Sequence, residues 1–232
     1  MMADNNQDND GDDDVFVYTG GEQSVPWNVK RVRIAENVDT IEGWIFYDCR
    51  QLIEVEGHNK LKKIKEYAFH ECKSLRWLTK MSGLIEIEAY AFCDCDALSE
   101  LEFDKLEIID CGAFGHCKSL RSINMPSVRR VEKIVFANCI ALTDAVFGEK
   151  LERIELNAFW NCAALRSIVI PLKDNLIGDN VFYRCEDLSR VDILDGEIHN
   201  TVTSLHLESW RNEMEEEVDR INYTLPNIIR AY

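Results

Sequence analysis

No stretch of this chain approaches the roughly 18 consecutive apolar residues that a membrane span requires, and no basic stripe offsets its acids. The N-terminus has neither a positively charged start nor an apolar segment behind it, so no signal peptide is expected. A net charge of −16 without a cationic face argues against nucleic acid or an anionic membrane as partner. There is no phosphate-cradling glycine loop, no His-Glu-x-x-His pair and no Gly-x-Ser-x-Gly nucleophile elbow. Catalysis is therefore not expected. By default the chain is placed in the cytoplasm, where thiols stay reduced; Asn222-Tyr-Thr224 is a formal glycosylation acceptor that would matter only after secretion.

The acids are concentrated at the ends. Asp4, Asp8, Asp10, Asp12, Asp13 and Asp14 crowd the first fourteen residues, and residues 208–220 hold six acids against two arginines. The rest of the chain is only mildly acidic, and with 46% apolar residues overall it has ample material for a core.

Between the ends lies a repeat. Phe46, Phe69, Phe92, Phe114, Phe136, Phe159 and Phe182 are separated by 23, 23, 22, 22, 23 and 23 residues. Cys49, Cys72, Cys95, Cys117, Cys139, Cys162 and Cys185 keep the same steps, as do Leu52, Leu75, Leu98, Leu120, Leu142, Leu165 and Leu188. A fixed period of this length is the signature of a solenoid. Each unit alternates two patterns. Ile123-Asn-Met125, Ile168-Val-Ile170 and Val191-Asp-Ile193 have the two-residue period of a strand with one buried face. A second apolar pair follows, such as Leu61/Ile64, Leu106/Ile109, Val128/Val131 or Leu151/Ile154, and the Phe comes five residues later. One unit is thus one coil: an inner strand, a second short extended piece, and a turn bearing Phe and Cys. A single coil cannot bury these ladders alone, so neighbours must stack, about 4.8 Å apart.

Three regions follow. Residues 1–24 form an acidic disordered tail and lead-in segment, residues 25–200 the solenoid, and residues 201–232 a helical cap. Val29-x-x-Val32-x-Ile34-x-x-x-Val38-x-x-Ile41 reads as a half repeat capping the start, since terminal repeats are atypical. Asp174 stands where the last unit should have an apolar residue. From Ser204 the spacing of Leu207, Trp210, Met214, Val218 and Ile221 predicts a helix that ends before Pro226. Its apolar stripe is expected to cover the end of the solenoid.

The pattern Phe-x-x-Cys-x-x-Leu-x-x-Ile-x-Ile-Pro, followed by Leu-x-x-Ile and Ala-Phe, resembles the BspA-like leucine-rich repeats. The best copies are Ala113-Phe-Gly-His-Cys-Lys-Ser-Leu-Arg-Ser-Ile-Asn-Met-Pro126 and Ala158-Phe-Trp-Asn-Cys-Ala-Ala-Leu-Arg-Ser-Ile-Val-Ile-Pro171, and the resemblance covers about residues 29–193. It implies a mainly β, α/β repeat solenoid: a curved right-handed leucine-rich-repeat coil of about seven units, with a parallel sheet on its concave side. Members of that family act in adhesion on bacterial surfaces and are numerous in unicellular eukaryotes. The acidic start, the Val-Tyr-Thr-Gly-Gly-Glu-Gln segment and Leu-His-Leu-Glu-Ser-Trp-Arg look like the intracellular type from a unicellular eukaryote. Such proteins often run on into more helix, which implies a shortened version here. Ile45 and Val135 depart from the usual Ala before Phe.

Nine cysteines raise the question of metal or redox chemistry. Seven sit in the ladder, where Cys acts as a small apolar filler, and side chains stacked in parallel register do not aim at one another for disulfides. Zinc favours clustered pairs such as Cys-x-x-Cys. Here the close pairs are only Cys93-Asp-Cys95, His70-x-Cys72 and His116-Cys117. Cys93 lies one coil from His70 on the same column, but the Cys of each pair is expected to be buried. No metal and no cofactor are assigned, and Cys93 and Cys111, outside the ladder, are the expected reactive thiols. His58, His70, His116, His199 and His206 share no register.

Binding is what remains. The residues between inward-facing positions of the inner strands should line the concavity in two columns. One contains Trp77, Glu100, Ser122, Asp144 and Ser167, the other Thr79, Glu102, Asn124, Val146 and Val169. An aromatic among polar groups is a frequent hot spot, so Trp77 and the Val146/Val169 pair are the expected anchors for a protein or peptide partner. The alternative that the resemblance implies is a cell-surface adhesin.

Overall fold

A computed structural model of the chain describes residues 15–195 and 198–202. Strands and turns make up this region. The first half contains β1 (Val15–Tyr18), β2 (Arg31–Ile34), β3 (Thr40–Ile41), β4 (Glu54–Glu56), β5 (Lys63–Ile64), β6 (Trp77–Thr79), β7 (Glu86–Ile87) and β8 (Glu100–Glu102). The second half adds β9 (Ile108–Ile109), β10 (Ser122–Met125), β11 (Arg130–Val131), β12 (Asp144–Phe147), β13 (Arg153–Ile154), β14 (Ser167–Pro171), β15 (Arg190–Asp195) and β16 (Ile198–Val202). The two-residue strands β3, β5, β7, β9, β11 and β13 form one continuous parallel sheet. The longer strands form the opposite wall, with coil following coil along each sheet. The parallel-sheet solenoid is therefore present, and no helix occurs among the described residues. The helix expected from Ser204 and the acidic tail at 1–14 lie outside them.

The interior is built from the ladders. All seven ladder phenylalanines are buried, and the first six are fully so. Successive rings stack at centroid distances of 5.0, 5.1, 5.3, 5.7, 5.1 and 5.7 Å, with interplanar angles of 26° or less. The leucines and the Ile or Val of each short strand complete a single cluster running the length of the solenoid.

The turn around each Phe carries a third set of links between coils. The amides of Phe92, Phe114 and Phe136 donate to the carbonyls of Ala113, Val135 and Ala158 in the next coil, at 2.8, 3.0 and 2.8 Å. Tyr90 and Asp94 do the same toward Cys111 and Gly115. The residues two before and two after each Phe adopt positive φ, for example Tyr90 at 56° and Asp94 at 60°. Left-handed backbone costs a non-glycine residue about 1–2 kcal/mol, least for Asn and Asp. Asp48, Asp94, Asn138, Asn157, Asn161 and Asn180 at these positions reflect that preference.

The cysteine ladder does more than fill space. The thiols of Cys72, Cys95, Cys117, Cys139, Cys162 and Cys185 each donate to the carbonyl of the Phe one coil back, at 3.1–3.3 Å. All nine cysteines are free. Burial pushes the Cys49 thiol up to about 11, and those of Cys72, Cys95, Cys117 and Cys162 also well above the usual range. Only Cys111 is partly exposed. An Ellman titration of the native chain is accordingly expected to detect Cys111 alone, and all nine thiols after denaturation. Several fast-reacting thiols in the native state would contradict the buried ladder.

Four features go beyond the sequence reading or differ from it. The lead-in segment contributes β1, which pairs in parallel with β2, and Tyr18 sets its ring edge-on to Phe46 at 5.5 Å. At the other end β16 turns back antiparallel onto β15, covering an edge that would otherwise be open to another strand. In the last unit Leu176 is buried, supplying the apolar side chain that Asp174 does not. Finally, the long-strand wall is two sheets, β1-β2-β4-β6 and β8-β10-β12-β14-β15-β16. No backbone pairing joins β6 to β8 among the described residues. Lys80 turns to φ 57° directly after β6, and Leu78 is only partly buried, unlike Val55 and Leu101 in the neighbouring coils. Phe92–Phe114 stacking and β7–β9 pairing hold the coils together across the break.

Candidate functional site

The long-strand wall presents the ten expected residues outward, all exposed or half-buried. Their buried neighbours Val55, Leu101, Ile123, Ala145 and Ile168 point into the core, as the two-residue strand period requires. Register sets the columns. Glu100, Ser122, Asp144, Ser167 and Arg190 align, and so do Glu102, Asn124, Val146, Val169 and Asp192. Trp77 and Thr79 align instead with Glu54 and Glu56 on the other side of the break. Trp77 and the Val146/Val169 pair therefore stand on different sheets, three coils or roughly 14 Å apart at normal strand spacing. The valines are adjacent as expected, but Asn124 separates them from Glu102 and hydrogen-bonds it at 3.4 Å.

Charge on this wall is uneven. Near the N-terminal end Arg33 meets Glu56 at 2.8 Å, Lys80 meets the same carboxylate, and Arg31 faces Glu54 at 3.9 Å. The Arg33 and Lys80 hydrogen bonds hold the Glu56 carboxyl below its ordinary range. Farther along, the Ser167 and Thr143 hydroxyls donate to Asp144 and lower its pKa. Glu100 and Glu102 have no basic partner among the described residues. The break thus has one lip carrying Trp77, which is 52% exposed, and another carrying two uncompensated carboxylates.

A pocket lies on the face formed by the Phe turns. The residues two before each Phe form a column Trp44, Tyr67, Tyr90, Gly112, Ile134, Asn157. The residues one after it run Tyr47, His70, Cys93, Gly115, Ala137, Trp160. Trp44, Tyr67 and Tyr90 stack on one another at 4.2 and 5.2 Å. The stack stops at Gly112, whose φ is 63° and whose added Cβ would lie 2.5 Å from the Tyr90 ring. With Gly115 and Ala137 small in the adjacent column, a cavity of about 370 Å³ opens between Tyr90 and Trp160. His70, Cys93, Asp94 and His116 line it.

His70 and His116, which share no sequence register, are thus brought together. Cys93 is not the accessible thiol the sequence suggests: it is buried, and burial followed by the Asp94 carboxylate pushes its pKa up to about 12. His58 is structural, its Nε2 donating to the Ala35 carbonyl at 2.9 Å while Nδ1 accepts from the Lys60 amide at 3.2 Å. The sequence signal for the cavity was the run of small residues interrupting two columns of large ones.

A family model described as BspA type leucine rich repeat region matches residues 26–139 and 85–213, with six copies of the repeat. Among solved structures the fold is similar to a leucine rich repeat protein of T. pallidum, at 22% identity and a TM-score of 0.64, covering 75% of this chain and 83% of that one. It is also similar to a leucine-rich repeat protein from Eubacterium ventriosum, at 20% identity and a TM-score of 0.52, covering 71% of this chain and 57% of that one. At these identities the likeness is one of fold. No curated protein matches the sequence.

Proposed function

Because the chain belongs to the BspA-type leucine-rich repeat family, we propose that it is a non-catalytic interaction module holding a protein segment across its concave strand wall. The observation that carries this reading is the exposed Trp77 on one lip of the sheet break, facing the unpaired acids Glu100 and Glu102 on the other. On the Trp77 side of the break, Glu54 and Glu56 are already met by Arg31, Arg33 and Lys80. A lysine or arginine of a partner would meet the indole face, a contact worth about 0.5–2 kcal/mol, and the two carboxylates together. Val146, 38% exposed, and Val169 give an apolar contact three coils on, so an extended segment of about four or five residues spans both anchors.

Capture from a lysate on immobilised protein, followed by mass spectrometry, identifies the partner. Replacing Trp77 and Val169 together with alanine is expected to weaken its binding at least about 30-fold, as for two hot-spot residues, with unchanged circular dichroism. Undiminished capture by the double variant rejects this face.

The reading includes a cytoplasmic location, supported by nine free cysteines, eight of them buried without pairing. Microscopy of a tagged copy tests it; a surface location would favour adhesion instead.

A further inference from the structure

We propose that His70, Cys93 and Asp94 form a binding site for a zinc-like divalent cation, with its open coordination positions facing the cavity between Tyr90 and Trp160. One ring nitrogen of His70, the Cys93 sulfur and a carboxylate oxygen of Asp94 lie within 4.8 Å of one another. Bond lengths to zinc of about 2.0–2.3 Å place tetrahedral ligands about 3.4–3.8 Å apart. Cys93 Sγ and Asp94 Oδ2 already stand at 3.4 Å, so the set closes with a shift of about 1 Å at the histidine. The mixture of imidazole, thiolate and carboxylate suits zinc and not calcium or magnesium, which take oxygen donors.

Two further observations point the same way. Nδ1 of His70 is buried and hydrogen-bonds nothing, although a buried polar nitrogen without a partner is costly. The scaffold is also rigid. The Asp94 amide donates to the Gly115 carbonyl at 2.9 Å, and the Cys93 carbonyl accepts from Glu71 at 2.9 Å. Tyr47 and Tyr67 flank the imidazole at 5.5 and 5.4 Å. Three protein ligands with a vacant side toward a cavity is the pattern of a zinc ion that keeps an exchangeable position. That position is open to water or to a donor atom of a ligand in the cavity.

The test uses the purified full chain, reduced and metal-free, titrated with Co²⁺ and then Zn²⁺. One equivalent of Co²⁺ is expected to produce a thiolate-to-metal charge-transfer absorption, which Zn²⁺ abolishes by displacement. Cys93→Ser and His70→Ala should each weaken binding at least about 100-fold, beyond what loss of an outer-shell partner typically costs, while Cys111→Ser leaves it unchanged. Should either ligand variant misfold by circular dichroism, Asp94→Asn decides. Asn accepts the left-handed backbone there, and at least about a 10-fold loss is expected. Absence of the charge-transfer band, or its persistence at full affinity in Cys93→Ser or Asp94→Asn, overturns the proposal.

Discussion

Replacing Phe114 by alanine is expected to remove about 3–5 kcal/mol of stability and to split the solenoid into two blocks that unfold separately. The ring is fully buried and stacks on Phe92 at 5.3 Å and on Phe136 at 5.7 Å, so its loss leaves a void at two coil interfaces at once. In a solenoid each coil is stabilised mainly by its neighbours. A domain commonly has only about 5–15 kcal/mol in total. The deletion therefore removes a large fraction of the whole at the point where the two halves communicate. Guanidinium denaturation followed by circular dichroism should show a lower midpoint and two transitions. An unchanged single transition would mean that the phenylalanine ladder does not couple the coils.

Gly148→Ala should destabilise by about 3 kcal/mol, the upper part of the range for overpacking, through a different mechanism. A Cβ there would lie 2.2 Å from the Pro126 carbonyl oxygen and 3.0 Å from its carbon. These are backbone atoms of the preceding coil and cannot swing aside, so the coils must part locally. For a chain of this size the loss corresponds to a fall in melting temperature of about 6–12 °C. Gly83→Ala should act alike, since its Cβ would meet the Asn59 carbonyl oxygen at 2.0 Å. A melting temperature within a degree of the parent's for both variants would show that the coils are not in contact there.

Much of this was legible because the physics repeats. Phe, Cys and Leu recur in phase, so each ladder position is specified seven times over, and the half repeat from Val29 to Ile41 emerged as β2 and β3. What escaped was whatever occurs once. Val15–Tyr18 lacks the Leu-x-x-Ile spacing, so its pairing with β2 had no repeat to announce it. The separation of β6 from β8 falls where one residue, Lys80, takes a positive φ. The hydrogen bond from each ladder thiol to a phenylalanine carbonyl is a contact between coils that a residue pattern does not encode. His70 and Cys93 could be placed on one column from the sequence, but Asp94 lies on the next column. The cavity beside them exists because Gly112, Gly115 and Ala137 replace large neighbours, and its signal was an interruption of the period.

Native-state hydrogen exchange tests most directly the claim that the stacked coils form one cooperative body presenting both faces. The amides of Phe69, Phe92, Phe114 and Phe136, each bonded to the following coil, are expected to be the slowest in the chain and to open together with a shared free energy. Separate opening energies for successive coils, or exchange at the rate of an unstructured chain, would contradict it.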